Sequence, residues 1–170
     1  KGLEAFNEKN YNLAFNFCSE SSKNGDVFSQ LNLALLYKHG FGVEQSYSKA
    51  FDLLKRASSN GVPEAHYHLA LFYYNGLGVK KDYKSARELF LLSNKENVPG
   101  STYYLGLIYL NGLQVEKDVN SSLNYFKIAS DNNIPEAHCN LALLYLEGIG
   151  VPQNYSEALK LFSLGADKGI

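Results

Sequence analysis

A repeat of 36 residues constrains this chain more than any other feature. Tyrosine recurs at positions 37, 73, 109 and 145 without slippage, each time after an apolar stretch and before a turn that contains glycine. Self-similarity at such a period indicates a stacked repeat array. Each copy in such an array is one supersecondary unit that buries its apolar face against its neighbours. The repeat therefore predicts a single repeat domain over residues 1–170.

The second copy shows a first helix, helix A, over residues 63–75. It opens with Pro63, a residue preferred at the first helical position because no N–H is needed there. Apolar residues then recur at helical spacing, among them Leu69, Phe72 and Tyr73. Gly76 ends the helix, since glycine adopts a positive φ without a Cβ clash.

A second helix, helix B, follows in every copy. Its predicted N-cap residues recur every 36 positions and all belong to the preferred capping set: Asn10, Ser46, Asp82, Asp118 and Asn154. Four residues behind each cap stands a small residue, at 14, 50, 86, 122 and 158. A small side chain allows helix B to cross helix A closely.

The predicted fold is all-α, an α/α superhelix (solenoid) of stacked antiparallel helix pairs. The predicted repeats are a partial copy at 1–25 and full copies at about 26–61, 62–97, 98–133 and 134–169. Position 170 aligns with the residue that precedes a new helix A, so we expect the chain to be a segment of a longer array.

Composition excludes several classes of function. The formal net charge is -1 and basic residues are scattered, whereas a nucleic-acid surface shows a stripe of Lys and Arg. No apolar run approaches the ~18 residues of a membrane span. Cys18 and Cys139 lie more than three repeats apart, too far for a disulfide. Cysteines that do not form a disulfide weakly favour a reducing intracellular compartment, although the sequence leaves the compartment itself unknown.

No catalytic or metal-binding motif stands out, so we predict a non-enzymatic chain without metal or cofactor. His66 and His68 are two residues apart and point in different directions on a helix. His66 and His138 occupy the same helix A position two copies apart, which favours a packed or hydrogen-bonded role. A pocket joining a carboxylate to either histidine would favour an enzyme. Most of the 13 tyrosines are expected in the core, because those at 37, 73, 109 and 145 fall on the buried face of helix A and those at 47, 83 and 155 lie in the first turn of helix B.

Tandem units of the form A-x-x-x-L-[AG]-x-x-Y-x-x-G-x-G-V, then a cap and Y-x-x-A-x-x-x-F, resemble the Sel1-like repeat family. This family is related to the tetratricopeptide repeats and has a longer turn inside each helix pair. The resemblance covers residues 27–169. The third copy departs most, with Gln114, Val119 and Ser122 in place of glycine, tyrosine and alanine. We therefore predict the softest point of the array there.

The resemblance implies a binding face, because helix A lines the concave side in tetratricopeptide-like arrays. The implied partner-binding residues are Leu35, Lys38, His39, Glu64, Tyr67, Leu71, Tyr74, Asn75, Tyr103, Leu107, Leu110, Asn111, Leu143, Leu146 and Glu147. Four of them, at 35, 71, 107 and 143, form a ladder of leucines. The ladder either lines an apolar groove for a partner segment or is buried between adjacent A helices.

The sequence thus predicts a non-catalytic scaffold or adaptor that binds a peptide or helical segment of another protein. The alternative is a structural module that self-assembles by stacking its ends, so homo-oligomerisation stays open. A hydrolase-type enzyme is the least favoured interpretation. Nucleic acid is not an expected partner, and no membrane span is expected in this segment.

Overall fold

The computed structural model describes residues 1–166, and over that range the chain forms ten α-helices and no strand. The helices are α1 (Gly2–Asn7), α2 (Tyr11–Lys23), α3 (Val27–His39), α4 (Tyr47–Ser59), α5 (Pro63–Asn75), α6 (Tyr83–Lys95), α7 (Ser101–Asn111), α8 (Val119–Asp131), α9 (Pro135–Glu147) and α10 (Tyr155–Ala166). The predicted all-α fold is confirmed. From α3 onward, odd-numbered helices are A helices and even-numbered ones are B helices.

The chain divides into two compact units, Lys1–Ser93 and Asn94–Ile170. The first contains α1 to α5 and most of α6. Within it, α1 packs on α2, α2 on α3, α3 on α4 and α4 on α5. In the second unit α7 packs on α8, α8 on α9 and α9 on α10. In each unit one B helix is thus packed between two A helices, α4 between α3 and α5 and α8 between α7 and α9.

The five predicted N-caps of the B helices are confirmed. The side chain of each accepts a hydrogen bond from the backbone N–H three residues later: Asn10 at 3.3 Å, Ser46 at 3.4 Å, Asp82 at 3.2 Å, Asp118 at 3.0 Å and Asn154 at 3.0 Å. The hydroxyl and backbone N–H of Ser85 also hold the pKa of the Asp82 carboxyl below its usual range. These contacts satisfy N–H groups that the first turn of a helix leaves open.

The turn between helices A and B explains the strict spacing of the tyrosines. Helix A ends at a left-handed glycine, such as Gly76 with φ 74°. The backbone N–H of the cap at 46, 82, 118 and 154 then donates to the carbonyl of the tyrosine nine residues earlier, as from Asp82 to Tyr73 at 3.0 Å. The same bond joins Ser46 to Tyr37 at 2.9 Å. An insertion in the turn would break this bond, so the spacing between tyrosine and cap cannot drift.

The second glycine of the turn is required by a close approach to the preceding repeat. A Cβ at Gly42 would lie 2.5 Å from the carbonyl oxygen of Tyr11, and one at Gly78 would lie 2.8 Å from the carbonyl carbon of Tyr47. Gln114 occupies this place in the third copy and keeps a positive φ of 52°. The turn conformation therefore survives the substitution, at the cost of placing a residue with a Cβ where glycine is favoured.

The predicted close crossing points are buried. Ala14, Ala50, Ala86 and Ser122 have no exposed surface, and Ala158 is 2% exposed. The hydroxyl of Ser122 has no hydrogen-bond partner among residues 1–166. A buried hydroxyl without a partner destabilises the fold, so the third copy does carry a local weakness at this crossing.

The expectation that most tyrosines are core residues is wrong: no tyrosine among residues 1–166 is fully buried, and Tyr47 and Tyr155 are 37% and 65% exposed. The turn of the next repeat covers the backbone of Tyr47 and leaves its ring near the surface, edge-on to Phe72 at 6.1 Å between centroids. The four tyrosines at 37, 73, 109 and 145 are half-buried.

Candidate interaction surface

The implied binding residues of the first unit lie on α3 and α5, and we call them the first face. They are Leu35, Lys38, His39, Glu64, Tyr67, Leu71, Tyr74 and Asn75. Glu64, His39 and Asn75 are exposed, and the other five are half-buried. Leu35 packs against the core of this unit. The first face is therefore a shallow surface whose apolar members are partly used by the fold.

Aromatic packing fixes the two tyrosines of the first face. The ring centroids of Tyr67 and Tyr74 lie 6.0 and 6.4 Å from that of the fully buried Phe90. Tyr74 is also edge-on to Tyr83 at 5.3 Å. The amide of Asn75 donates to the carbonyl of Leu71 at 2.9 Å. These contacts hold the side chains in defined orientations before any partner binds.

The implied residues of the second unit lie on α7 and α9, and we call them the second face. They are Tyr103, Leu107, Leu110, Asn111, Leu143, Leu146 and Glu147. Tyr103, Leu107 and Leu110 are half-buried and pack against the core of this unit. Leu143 and Leu146 are 44% and 36% exposed, beside the exposed Glu147. The second face thus offers two exposed leucines on one helix.

The leucine ladder is not uniform. Leu35 and Leu107 pack against the cores of their units, Leu71 is half-buried, and Leu143 is exposed. The core that Leu35 packs against includes residues of α5, and the core that Leu107 packs against includes residues of α9. In both cases this is the A helix of the following repeat. Of the four, Leu143 is the most exposed among residues 1–166.

The first unit also contains a histidine of α5, His68, that sequence reasoning did not assign to the face. Burial, together with the charges of Lys38 and His39, lowers the pKa of His68 to about 4. Burial also lowers the pKa of Lys38. The pKa of His39 is lowered mainly by burial and, to a smaller extent, by the charge of Lys38. The only sequence signal was that α3 ends in two basic residues.

His66 and His138 are hydrogen-bonded, as the sequence favoured. Their partners are serine side chains that sequence reasoning did not identify. Their Nδ1 atoms lie 2.7 Å from the hydroxyls of Ser58 and Ser130, respectively. In both repeats the serine stands eight residues before the histidine, near the end of helix B. The pair therefore ties a B helix to the A helix that follows it.

A cavity of about 390 Å³ in the second unit does bring His138 near carboxylates, those of Asp131 and Glu157. Ser130 and His138 are buried there, at 7% and 4% exposure. Glu157 is paired with Lys160 at 3.5 Å, and no carboxylate is hydrogen-bonded to His138 within residues 1–166. The same serine–histidine pair recurs in another repeat, which a single active site does not require. The arrangement supports a structural role for the pair.

Other chemistry is sparse in the described part of the chain. Residues 1–166 contain no group of three or more His, Cys, Asp or Glu side chains placed to hold a metal ion. Cys18 and Cys139 are both free thiols, and burial raises the pKa of Cys18. No helix within this range has the length and apolar character needed to cross a membrane.

Comparison with known proteins agrees with this architecture. The Sel1 repeat family model matches residues 8–26, 27–62, 63–97, 99–134 and 135–170. A search of curated protein sequences found no match to the chain.

Two solved structures are similar to the chain. A Sel1 repeat protein from Oxalobacter formigenes has a TM-score of 0.88 at 25% identity, over 99% of this chain and 69% of that protein. The protein c5321, a protective antigen present in uropathogenic Escherichia coli strains and displaying an SLR fold, has a TM-score of 0.86 at 28% identity. That match covers 94% of this chain and 34% of the E. coli protein, so the chain spans about a third of its length. The predicted repeat-solenoid fold is confirmed. The five matched repeats cover nearly the whole chain, and it belongs to the Sel1 repeat family.

Proposed function

We propose that the chain is a non-catalytic scaffold that binds a segment of another protein along its A helices. Proteins built from Sel1 repeats are generally protein-interaction scaffolds. The exposure of Leu143 and Leu146 on α9 carries the proposal for this chain. Adjacent exposed leucines on a rigid helix are costly in water and provide anchor points for an apolar partner segment. Glu147 and Asn111 lie on the same face and would orient the partner through polar contacts.

The test is a pair of substitutions in α9 and α10. Leu143→Asp is expected to leave the free energy of unfolding within about 0.5 kcal/mol of wild type, because the site is exposed. It should nevertheless abolish capture of the partners that the wild-type chain retains from lysate, identified by mass spectrometry. Leu159→Asp is the matched control, since Leu159 is 69% exposed and lies on a B helix.

The control should retain the wild-type set of partners. If Leu143→Asp retains them equally well, the second face is not the binding surface. Loss of folding in Leu143→Asp would show that the leucine contributes to the core despite its exposure.

A second candidate function, self-assembly through the end of the array, is supported by a different residue. Leu123 of α8 is 9% exposed and belongs to the core cluster of the second unit, which α9 completes. Its counterpart one repeat later, Leu159 of α10, is 69% exposed. The surface around Leu159 is therefore apolar and exposed, as expected where no further helix among residues 1–166 covers a repeat.

A further inference from the structure

Residues of α2, α3 and α4 line an open groove of about 320 Å³ on the first unit. Leu33 and Tyr37 of α3 and Leu53 of α4 form its apolar part, and all three contribute to the core of this unit. No residue of the first face lines this groove. We call it the basic groove, and its polar and charged lining residues are Ser19, Ser22, Lys23, Lys49, Asp52 and Arg56.

Helix α4 and the ring of Tyr37 position the charged side chains of the basic groove. Lys49, Asp52 and Arg56 stand at i, i+3 and i+7, which places them on one face of α4. The ammonium of Lys49 lies 5.1 Å from the centroid of the Tyr37 ring. This cation–π contact holds the ammonium against the aromatic part of the lining. The Tyr37 ring is itself edge-on to Phe15, with 5.7 Å between centroids.

The basic groove carries an excess of positive charge. Its three cationic side chains and one carboxylate give the lining a formal charge of +2, whereas the whole chain has a formal net charge of -1. Lys23, Lys49 and Arg56 are exposed, and none of them forms an ion pair within residues 1–166. A concave surface lined by charge of one sign concentrates ions of the opposite sign. The groove is therefore suited to an anion.

Comparison of the repeats shows that two of these cations are specific to this groove. The positions equivalent to Lys49 and Arg56 in the later copies carry no basic residue: they are Ser85, Ser121 and Glu157 for the lysine, and Leu92, Ile128 and Leu164 for the arginine. The helix pair therefore forms without a cation at either place. A structural role would recur with the repeat, whereas a binding site needs only one copy.

The helix dipoles account for two of the three cations. Lys23 and Arg56 lie in the last turns of α2 and α4, where the carbonyl end of a helix stabilises a cation. Lys49 lies in the first turn of α4, which begins at Tyr47, and the positive end of the dipole repels a cation there. The α10 helix has Glu157 at the same place. Lys49 is thus placed against its local electrostatic preference, and an anion bound in the groove would offset that repulsion.

We propose that the basic groove binds a phosphorylated side chain of another protein. A phosphate monoester carries a charge of about −1.5 to −2 at pH 7, which matches the formal charge of +2 on the lining, whereas a carboxylate carries only one negative charge. The Arg56 guanidinium donates two parallel hydrogen bonds to such a group, and the ammonium groups of Lys23 and Lys49 donate to its remaining oxygens. Asp52 opposes the anion and is already counted in the charge of the lining. This site is separate from the A-helix surface of the proposed function.

The experiment measures how well the immobilised wild-type chain retains three pools of synthetic twelve-residue peptides. The pools differ only at the central position. It is a mixture of phosphoserine, phosphothreonine and phosphotyrosine in the first pool, the same residues without phosphate in the second, and Glu in the third. The phosphorylated pool should be retained about tenfold more than the unphosphorylated one, because three exposed charged contacts each contribute roughly two-fold. The preference should weaken at about 0.5 M NaCl, since salt screens exposed charges.

The variant Lys49→Gln/Arg56→Gln removes two of the three cations, so the preference should fall to about two-fold. Both side chains are exposed, and the substitutions should leave the fold intact. The matched control is Lys55→Gln/Lys80→Gln, which removes the same charge from exposed positions of this unit that do not line the groove. It should keep the wild-type preference. An equal loss in the control would show that net charge, and not the groove, retains the peptides.

The remaining pools decide the chemistry of the ligand. If the wild-type chain retains the Glu pool as well as the phosphorylated one, the groove binds carboxylates and the inference is wrong. Equal retention of the phosphorylated and unphosphorylated pools, or retention of neither, also overturns it. Leu143→Asp, which tests the scaffold proposal, should leave the preference for phosphate unchanged. The two proposals can therefore fail independently.

A measurement on the wild-type chain locates the site without any substitution. The backbone amide signals of residues 47–56 of α4 are followed by NMR during titration with the phosphorylated pool. These signals should shift, because a phosphate held by Lys49 and Arg56 changes the electrostatic field along that face of the helix. The unphosphorylated pool should leave them in place. Shifts confined to other helices would mean that the phosphate binds elsewhere, and the basic groove would not be its site.

Discussion

Gly106 shows how a single missing methyl group adapts one repeat to a large neighbour. The equivalent residues of other copies are Ala34, Ala70 and Ala142, whereas a Cβ at Gly106 would lie 2.7 Å from two ring carbons of Phe126. Phe126 is fully buried, so its ring has no room to move away. Glycine at this position thus makes the helix less stable than alanine would, but it avoids a steric clash with the ring of Phe126.

We expect Gly106→Ala to destabilise the fold by about 1 kcal/mol, measured by urea unfolding. Overpacking costs about 1–3 kcal/mol, and the better helix propensity of alanine returns about 1 kcal/mol. In a Phe126→Leu background the same change should be neutral or stabilising, because leucine lacks the ring carbons that the new methyl group would meet. An equal loss in both backgrounds would show that the ring contact is not the cause.

His68 should make stability depend on pH. Its folded pKa of about 4 lies below the ordinary value of 6.5. Between these values the unfolded chain binds a proton that the folded chain does not. Stability is therefore complete above pH 6.5 and falls as the pH drops towards 4, by about 3 kcal/mol at 1.36 kcal/mol per pH unit.

His68→Gln should flatten this part of the stability curve, measured by urea unfolding at pH 4 to 7. His39→Gln is the matched control. An exposed imidazole loses less hydration on folding, so this variant should keep most of the acid sensitivity. If His68→Gln and wild type lose stability equally, burial of His68 is not its origin.

At the scale of elements, the serine–histidine pair connects each B helix to the A helix after it in two of the repeats. Ser130→Ala would leave Nδ1 of the buried His138 without a partner, at a cost of about 1–3 kcal/mol. Ser58→Ala is the natural comparison, because His66 is half-buried and water can replace the lost hydroxyl. We expect its cost to be smaller.

The free energies of unfolding of these two variants provide the measurement. A larger loss in Ser58→Ala than in Ser130→Ala would contradict the dependence on burial. Equal and negligible losses would mean that packing alone joins the helices, and that the hydrogen bond adds nothing measurable.

At the scale of the whole molecule, the exposure of Leu159 on α10 leads us to predict self-association of the chain. If the face around Leu159 pairs with a second copy of the chain, the mass measured by light scattering should rise with concentration. Leu159→Asp should then suppress the rise, since burying an unpaired charge in an apolar contact is costly. Leu143→Asp is the control and should associate like wild type. A mass that stays at the monomer value for wild type would remove the self-assembly candidate.

How much of this fold could be predicted depends on the range of the interactions involved. The caps at Asp82 and Asp118, the glycine at 76 and the opening proline at 63 act on backbone groups only a few residues away. Their consequences can therefore be deduced from spacing alone. The bond from Asp82 to the carbonyl of Tyr73 is local in the same sense, and it explains why the tyrosines recur in strict register.

The candidate site could be deduced only in part. The resemblance placed Leu35, Leu71, Leu107 and Leu143 on one helix face, but spacing does not say which of them another helix will cover. Leu107 packs into a core that α9 helps to form, while Leu143 is exposed within the part of the chain that the structure describes. The hydrogen bond between Ser130 and His138 likewise joins two different helices.

The sequence by itself thus determined the helices, their ends and the repeated turn, because these follow from hydrogen bonds and periodicity within one 36-residue unit. Only the tertiary structure decided which side chains are covered and which histidine loses its hydration. Burial and electrostatics depend on atoms brought close by packing between helices, and that packing is not encoded in the spacing of any single repeat.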